Sequence, residues 1–143
     1  MKRVVLDSNV LVSALLITTG KPARILDRIR AVEFIISEEI LGEVERVLHY
    51  PRIQRRYHIS EEIITEYLDR LRAASRLIDV QTTIEIVKRD PDDDKFFACA
   101  IDASAQYIVS GDLDLLTVRE YQGIQVVSPA EFLSILDREE ADN

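Results

Sequence analysis

The first apolar run of the chain is short and ends abruptly in polar residues. Arg3 to Leu6 reads as a buried strand, and the triplet Asp7-Ser8-Asn9 follows it directly. In an open α/β sheet, ligands bind beyond the carboxyl ends of the strands. The triplet is therefore either a set of placed oxygen ligands or the cap of the next helix. Because a second buried strand, Tyr107 to Val109, also leads to a carboxylate at Asp112, capping alone does not explain the pattern.

Apolar runs of strand length alternate with stretches of helical periodicity along the rest of the chain. The further strand-like runs are Glu33 to Ile36, Leu77 to Val80 and Ile124 to Val127, and Ile84 to Val87 leads into a loop over Arg89 to Asp94. The helical stretches are Val10 to Ile17, a helix opened by Pro22, Ser37 to Leu48, Ser60 to Ala74, Phe96 to Ile101 and Ser128 to Leu136. This order predicts a three-layer α/β/α fold with a central, mainly parallel sheet. We expect one domain over residues 1–137 and a loose polar tail over 138–143.

The helix from Ser37 to Leu48 carries acidic residues beside its apolar face. Its apolar positions share one stripe at helical spacing. At 100° per residue, Glu43 and Glu45 lie on opposite flanks of that stripe. Either carboxylate can lean over the edge of the core, and periodicity alone does not choose between them.

The composition limits the classes of function. The chain has 143 residues with 18 Lys plus Arg and 26 Asp plus Glu, a net charge of −8. This balance disfavours a wide basic face for nucleic acid and suits a site that gathers carboxylates around hard cations. The single cysteine, Cys99, excludes an internal disulfide. No apolar run is long enough to span a bilayer, so we expect a cytoplasmic protein with no membrane association.

One segment reverses the sign of the overall charge. From Arg46 to His58 there is no acidic residue, and the segment contains the arginines Arg46, Arg52, Arg55 and Arg56. Such a run is commonly a solvated helix and loop, but the absence of any acid equally favours a surface that contacts phosphates or a partner.

Acidic residues distant in sequence are predicted to meet at the strand ends. Asp7 and Asp112 each follow a strand, the run Asp92-Asp93-Asp94 begins a helix, and Glu43 or Glu45 can join them. Carboxylates brought this close repel one another, and divalent cations such as Mg²⁺ relieve that conflict. A site of this kind suits two metal ions that clamp an in-line displacement at phosphorus. The sequence contains no zinc spacing, phosphate-binding glycine loop or nucleophile elbow.

Four segments in order resemble the motifs of the PIN domain, a Mg²⁺-dependent ribonuclease fold. They are Asp7-Ser8-Asn9-Val10, the helix Ser37 to Leu48, Asp90 to Phe96, and Ser110-Gly111-Asp112. In the second segment the family's glutamate falls on Glu43. In the third, the spacing places the acid at Asp93, with Asp94 as the alternative. The likeness covers nearly the whole chain and is greatest to PIN proteins regarded as toxins of type II toxin–antitoxin pairs.

This resemblance implies an endoribonuclease that leaves a 5′-phosphate and a 3′-hydroxyl. It implies that one or two Mg²⁺ or Mn²⁺ ions are held by four acids: Asp7, Glu43, Asp93 (or Asp94) and Asp112. Residues expected to steady those ligands are Ser8, Asn9, Ser110 and Asp114. The RNA backbone would be held by Arg46, Arg52, Arg55 and Arg56. The implied partners are RNA, a second copy in a homodimer, and an antitoxin that blocks the acidic crevice with an arginine.

Two other functions remain open from the sequence. A Mg²⁺-dependent phosphatase or phosphoacceptor domain also gathers aspartates at strand ends, but it would place an Asp-x-Asp pair after the first strand, where this chain has Asp7-Ser8-Asn9. A non-catalytic RNA- or protein-binding module of the same fold would be expected to have lost one of the acids, and none is lost.

Overall fold

One sheet organises the molecule. The computed structural model describes residues 1–83 and 93–142, and within these residues six strands form a single sheet with eight α-helices around it. The strands are β1 (Arg3–Leu6), β2 (Glu33–Ser37), β3 (Arg76–Ile78), β4 (Tyr107–Val109), β5 (Glu120–Tyr121) and β6 (Ile124–Val127). The helices are α1 (Ser8–Leu16), α2 (Lys21–Asp27), α3 (Glu38–Leu48), α4 (Pro51–Tyr57), α5 (Glu61–Ala74), α6 (Asp94–Asp102), α7 (Leu113–Val118) and α8 (Pro129–Asp142). A short 3-10 helix covers Ile29–Ala31.

The sheet order places a topological switch point at the centre. The strands lie in the order β3-β2-β1-β4-β6-β5, all neighbours being parallel except β5 with β6. The chain builds outward from β1 through β2 to β3, and then crosses to the other side of β1 to form β4 and β6. Crevices that bind ligands form where the strand order reverses in this way. The predicted α/β/α fold with a mainly parallel sheet is confirmed.

The centre of the sheet is apolar on both faces. Val4, Val5 and Leu6 are fully buried, as are Ile108 and Val109 of the neighbouring strand. Strands that helices cover on both sides carry continuous apolar runs rather than alternation, which is why β1 is recognisable in the sequence. The polar residues that follow these strands are therefore held against a rigid, well-packed edge.

The last helix corrects the predicted tail. The sequence predicts a helix ending near Leu136 and a loose tail over 138–143, whereas α8 continues to Asp142. Two glutamates of this extension pair with basic residues of the body: Glu139 with Lys2 at 3.3 Å, and Glu140 with Arg28 at 2.9 Å. Polar composition was the basis of the prediction, and these ion pairs are long-range contacts that composition does not report.

Some elements were not predicted, and one prediction cannot be examined. Helix α7 and the two-residue strand β5, which follow Asp112, were not predicted, whereas β6 has the bounds of the predicted last strand, Ile124 to Val127. Helix α4 forms in the basic segment, with Pro51 in its first turn, where the missing N–H of proline costs nothing. The run Ile84 to Val87, which is predicted to lead into a loop, lies outside the described residues. None of the helices in the described ranges has the length and apolar character that crossing a bilayer requires.

Candidate active site at the carboxyl edge of the sheet

Asp7 sits at the carboxyl end of β1 and is held from both sides. Its Oδ1 accepts a hydrogen bond from the backbone N–H of Asn9 at 3.0 Å and so caps α1. Its own N–H donates to the carbonyl of Val109 in β4 at 2.9 Å. The side chain is only 2 % exposed. Asp7 is therefore a helix cap through one carboxylate oxygen, and its second oxygen is directed to the end of β4.

A buried hydroxyl joins the ends of β1 and β4. Ser110 Oγ donates to Asp7 Oδ2 at 2.6 Å and accepts from the backbone N–H of Asp112 at 2.9 Å. Ser110 is completely buried. Asp112 in turn caps α7, its Oδ1 accepting from the N–H of Asp114 at 2.9 Å. The two strand-end aspartates are thus linked through one serine.

The electrostatics of Asp7 reveal its acidic neighbours. Burial raises the pKa of this carboxyl above its ordinary value, while the hydrogen bonds from Ser110 and from the N–H of Asn9 lower it. The negative charges of Glu43 and Asp112 raise the pKa further. Glu43 and Asp112 therefore each lie close enough to Asp7 for their charges to act on its carboxyl.

The structure distinguishes Glu43 from Glu45. The side chain of Glu43 is 22 % exposed and its Oε2 pairs with Lys95 Nζ; Arg46 lies 3.8 Å from the same oxygen. Glu45 is exposed, and its backbone carbonyl contacts the ring of His49. Of the two residues that the helical periodicity left open, Glu43 is the one at the crevice.

Asp93 and Asp94 begin α6 and are both 8 % exposed, so burial does not separate them. The next residue, Lys95, joins this end of α6 to α3 through Glu43. Asp92, the remaining member of the predicted acidic run, lies outside the described residues.

Lys95 is the residue of this site that sequence reasoning missed. Its side chain is only 7 % exposed. The signal was available, because α6 is buried around nearly its whole circumference, with Phe96, Phe97 and Cys99 fully inside. A helix apolar on all sides is enclosed by the protein, and a lysine within it requires a carboxylate partner.

The residues expected to steady the ligands occupy different positions. Ser8 is completely buried, and its Oγ has no hydrogen-bond partner among the residues that the structure describes. Asn9 is exposed and lines a cavity of about 330 Å³ together with Gly111 and Asp112. Asp114 contributes its backbone N–H to Asp112. Asp112 therefore borders an open cavity, whereas Asp7 is enclosed by the protein.

The donor set fits a hard divalent cation by its chemistry. Asp7, Glu43 and Asp112 offer only carboxylate oxygens, and the buried hydroxyl oxygen of Ser8 belongs to the residue that follows Asp7. Mg²⁺ and Mn²⁺ prefer such ligands. In residues 1–83 and 93–142, however, no group of three or more Asp, Glu, His or Cys side chains forms a metal-binding cluster as it stands. Glu43 and Asp7 are instead engaged by Lys95 and Ser110.

The arginines of the basic segment are exposed, and the first of them lies beside Glu43. Arg46 is close to Glu43, and the side chains that follow on α4 are exposed: Arg52, Arg55 and Arg56. His49 Nε2 contacts Glu61 at 2.6 Å, which ties the end of α3 to the start of α5. The basic segment therefore begins at the candidate site and continues as an exposed surface.

Comparison with known proteins agrees with this architecture. The family model described as PIN domain matches residues 3–114. The uncharacterized protein MJ1680 of Methanocaldococcus jannaschii is 31 % identical over 146 residues, covering 95 % of this chain and 92 % of that protein. Among solved structures, VapBC2 of Rickettsia felis, bound to a DNA fragment from its promoter, has a TM-score of 0.58 at 12 % identity and covers 88 % of this chain and 98 % of that chain. PAE2754 of Pyrobaculum aerophilum has a TM-score of 0.58 at 14 % identity and covers 96 % and 90 %. These two structures share the fold.

Proposed function

This chain belongs to the PIN domain family, and from that premise we propose that it is a metal-dependent endoribonuclease and the toxin of a toxin–antitoxin pair. We assign the metal ligands to Asp7, Glu43, Asp112 and Asp93, with Asp94 as the alternative to Asp93. The ion is Mg²⁺ or Mn²⁺.

The observation that supports the proposal is that two further carboxylates, those of Glu43 and Asp112, act on Asp7 at the switch point of the sheet. Burial raises the pKa of Asp7 most, and the negative charges of Glu43 and Asp112 raise it further, so the carboxylate of Asp7 is kept there at an electrostatic cost. Folds retain such unfavourable groupings at functional sites. A purely capping role would explain Asp7 and Asp112 separately, but it would not explain Glu43 from a different helix.

In this mechanism the metal ions would polarise the scissile phosphate and lower the pKa of an attacking water. The protein supplies the positions. Ser110 fixes one oxygen of Asp7, and the N–H groups of Asn9 and Asp114 orient the carboxylates of Asp7 and Asp112. These bonds hold the ligands before substrate arrives, so that little reorganisation is needed during the reaction.

RNA is the proposed substrate, and its backbone would be held by the basic segment. Arg46 lies at the crevice beside Glu43, so a phosphate chain leaving the acidic site meets positive charge immediately. The arginines of α4 continue this path. The net charge of −8 over the whole chain repels nucleic acid, which favours binding along this one basic segment over binding across the whole surface.

The proposed protein partners are a second copy of the chain and an antitoxin. Both follow from the family likeness, and VapBC2, which shares the fold, supports the second. An antitoxin arginine in the acidic crevice would neutralise the carboxylates and exclude metal in one step.

The proposal is tested by cleavage of a panel of RNAs with added Mn²⁺, using the wild-type protein and the variants Asp7→Asn and Asp112→Asn. Wild-type protein should cleave at least one RNA, and each variant should lose more than about a hundredfold in rate. Asp69→Asn is the matched control, since Asp69 is exposed on α5 and removes the same charge. Mapping the ends should give a 5′-phosphate and a 3′-hydroxyl.

Cleavage that persists without divalent metal, or equal rates for Asp7→Asn and Asp69→Asn, would overturn the assignment. RNA binding without cleavage in every condition would favour the non-catalytic module instead.

A further inference from the structure

Lys95 is a buried cation inside the acidic neighbourhood. Its side chain is 7 % exposed and its Nζ pairs with Glu43 Oε2. Nζ also lies 5.1 Å from the centroid of the Phe96 ring. An enclosed ammonium group is stabilised by a carboxylate partner, because burial of an unpaired charge is costly. Glu43 supplies one such carboxylate to Lys95.

Glu43 also has a second basic neighbour, Arg46, whose Nη2 lies 3.8 Å from Glu43 Oε2. Of the two cations, Lys95 is enclosed whereas the side chain of Arg46 is 68 % exposed. The enclosed ion pair is screened less by water and salt, so Lys95 has the stronger hold on Glu43.

We propose that Lys95 is a positioning residue that competes with the divalent cation for Glu43 and thereby sets the affinity of the site for metal. An ammonium and a metal ion both require the negative charge of the same carboxylate, and each repels the other at close range. Metal binding to Glu43 then requires the ion pair between Lys95 and Glu43 to break. This proposal rests on the proposed function, since it concerns the same acidic site.

The competition predicts the effect of removing the lysine charge. Lys95→Met keeps the length of the side chain and removes the cation. We expect its Kd for Mn²⁺ to be lower than that of the wild-type protein by about tenfold or more. The metal-free variant should also be less stable because its carboxylates lose their counter-ion, so added Mn²⁺ should raise its Tm by more than it raises the wild-type Tm.

The experiment is calorimetric titration with MnCl2 at neutral pH and fixed ionic strength, together with thermal melts with and without MnCl2. Lys95→Gln is a second neutral variant, and Lys95→Arg should restore weak binding because it keeps the charge. Lys2→Met is the matched control: Lys2 also pairs with a glutamate, Glu139, but precedes β1 at the opposite end of the strand. Its Kd for Mn²⁺ should equal that of the wild-type protein.

A measurement on the wild-type protein needs no variant at this position. The chain has four lysines, so NMR of lysine side-chain methylene groups can follow each one during titration with MgCl2. The resonance of Lys95 should shift as Glu43 is withdrawn from it, while that of Lys2 should not.

The outcomes separate this proposal from the proposed function. Suppose that the wild-type protein binds Mn²⁺ and cleaves RNA, but Lys95→Met binds Mn²⁺ no more tightly than the wild type does. The proposed competition between Lys95 and metal for Glu43 is then wrong, and the nuclease assignment stands. If only the Lys95 variants bind Mn²⁺, the competition is supported in its strongest form. If no variant binds Mn²⁺ and MgCl2 leaves the Lys95 resonance unmoved, both proposals are overturned.

Discussion

The hydroxyl of Ser110 offers a quantitative test of how the two strand ends are held together. It donates to the buried Asp7 carboxylate at 2.6 Å and accepts the N–H of Asp112 at 2.9 Å. Ser110→Ala removes both bonds at once. A hydrogen bond to a charged group contributes about 1.5–3 kcal/mol, and a backbone N–H left without a partner costs about 1 kcal/mol or more. We therefore expect a loss of about 3 kcal/mol in the free energy of unfolding.

The assay is urea unfolding at neutral pH in the presence of a chelator, followed by circular dichroism. For a chain of this length a loss of that size also lowers Tm by roughly 6–12 °C. Ser134→Ala is the matched control, because Ser134 is exposed on α8, and it should change stability by less than about 0.5 kcal/mol.

A double-mutant cycle with Asp7→Asn isolates the contribution that the charge of Asp7 makes to its hydrogen bond with Ser110. In the Asp7→Asn background the serine hydroxyl meets a neutral amide, while the N–H of Asp112 still loses its partner, so Ser110→Ala should cost only about 2 kcal/mol there. The reasoning is refuted if Ser110→Ala is no more destabilising than Ser134→Ala, or if the cost is the same with Asp7 and with Asn at position 7.

Three further predictions follow from the same contacts. Because burial raises the pKa of Asp7 in the folded protein above its ordinary value, the contribution of this group to stability is present below that ordinary pKa and is lost as pH rises through the folded pKa. Metal-free Asp7→Asn should therefore be at least as stable as wild type at neutral pH in urea unfolding; a clear loss of stability would indicate a structural role. The Glu45 carbonyl and then Glu61 raise the pKa of His49, so His49→Gln should lose more stability at about pH 5.5 than at about pH 8.5, and an equal loss would contradict the pairing. Replacing the three exposed arginines of α4 by alanine should weaken RNA binding. It should also reduce the slope of the logarithm of the binding constant against the logarithm of the salt concentration by up to about 3. An unchanged slope would indicate that RNA does not contact these arginines.

The sequence predicted the sheet because its signals are local. Buried parallel strands read as continuous apolar runs, and Ser37 caps α3 as expected, its Oγ accepting from the N–H of Ile40 at 3.2 Å. The C-terminal extension of α8 could not be predicted, since it depends on ion pairs with Lys2 and Arg28 from distant parts of the chain. Composition does not report such contacts.

Prediction of the site was limited in a similar way. Residues placed by strand ends, such as Asp7 and Asp112, could be located from the sequence. Glu43 could not be separated from Glu45 by periodicity, because both flank the apolar stripe of α3, and the choice depends on what packs against each flank. Lys95 packs there, and it was overlooked because charge next to an acidic run resembles an ordinary solvated turn.

The central claim is that acids from β1, α3 and the end of β4 form one divalent-cation site. Crystals grown with MnCl2 and measured for the anomalous scattering of manganese test it without reference to activity. The account predicts an anomalous peak with carboxylate oxygens of Asp7 and Asp112 in its coordination shell and Glu43 alongside. Well-ordered crystals with manganese bound only at other positions, and none at this edge of the sheet, would contradict it.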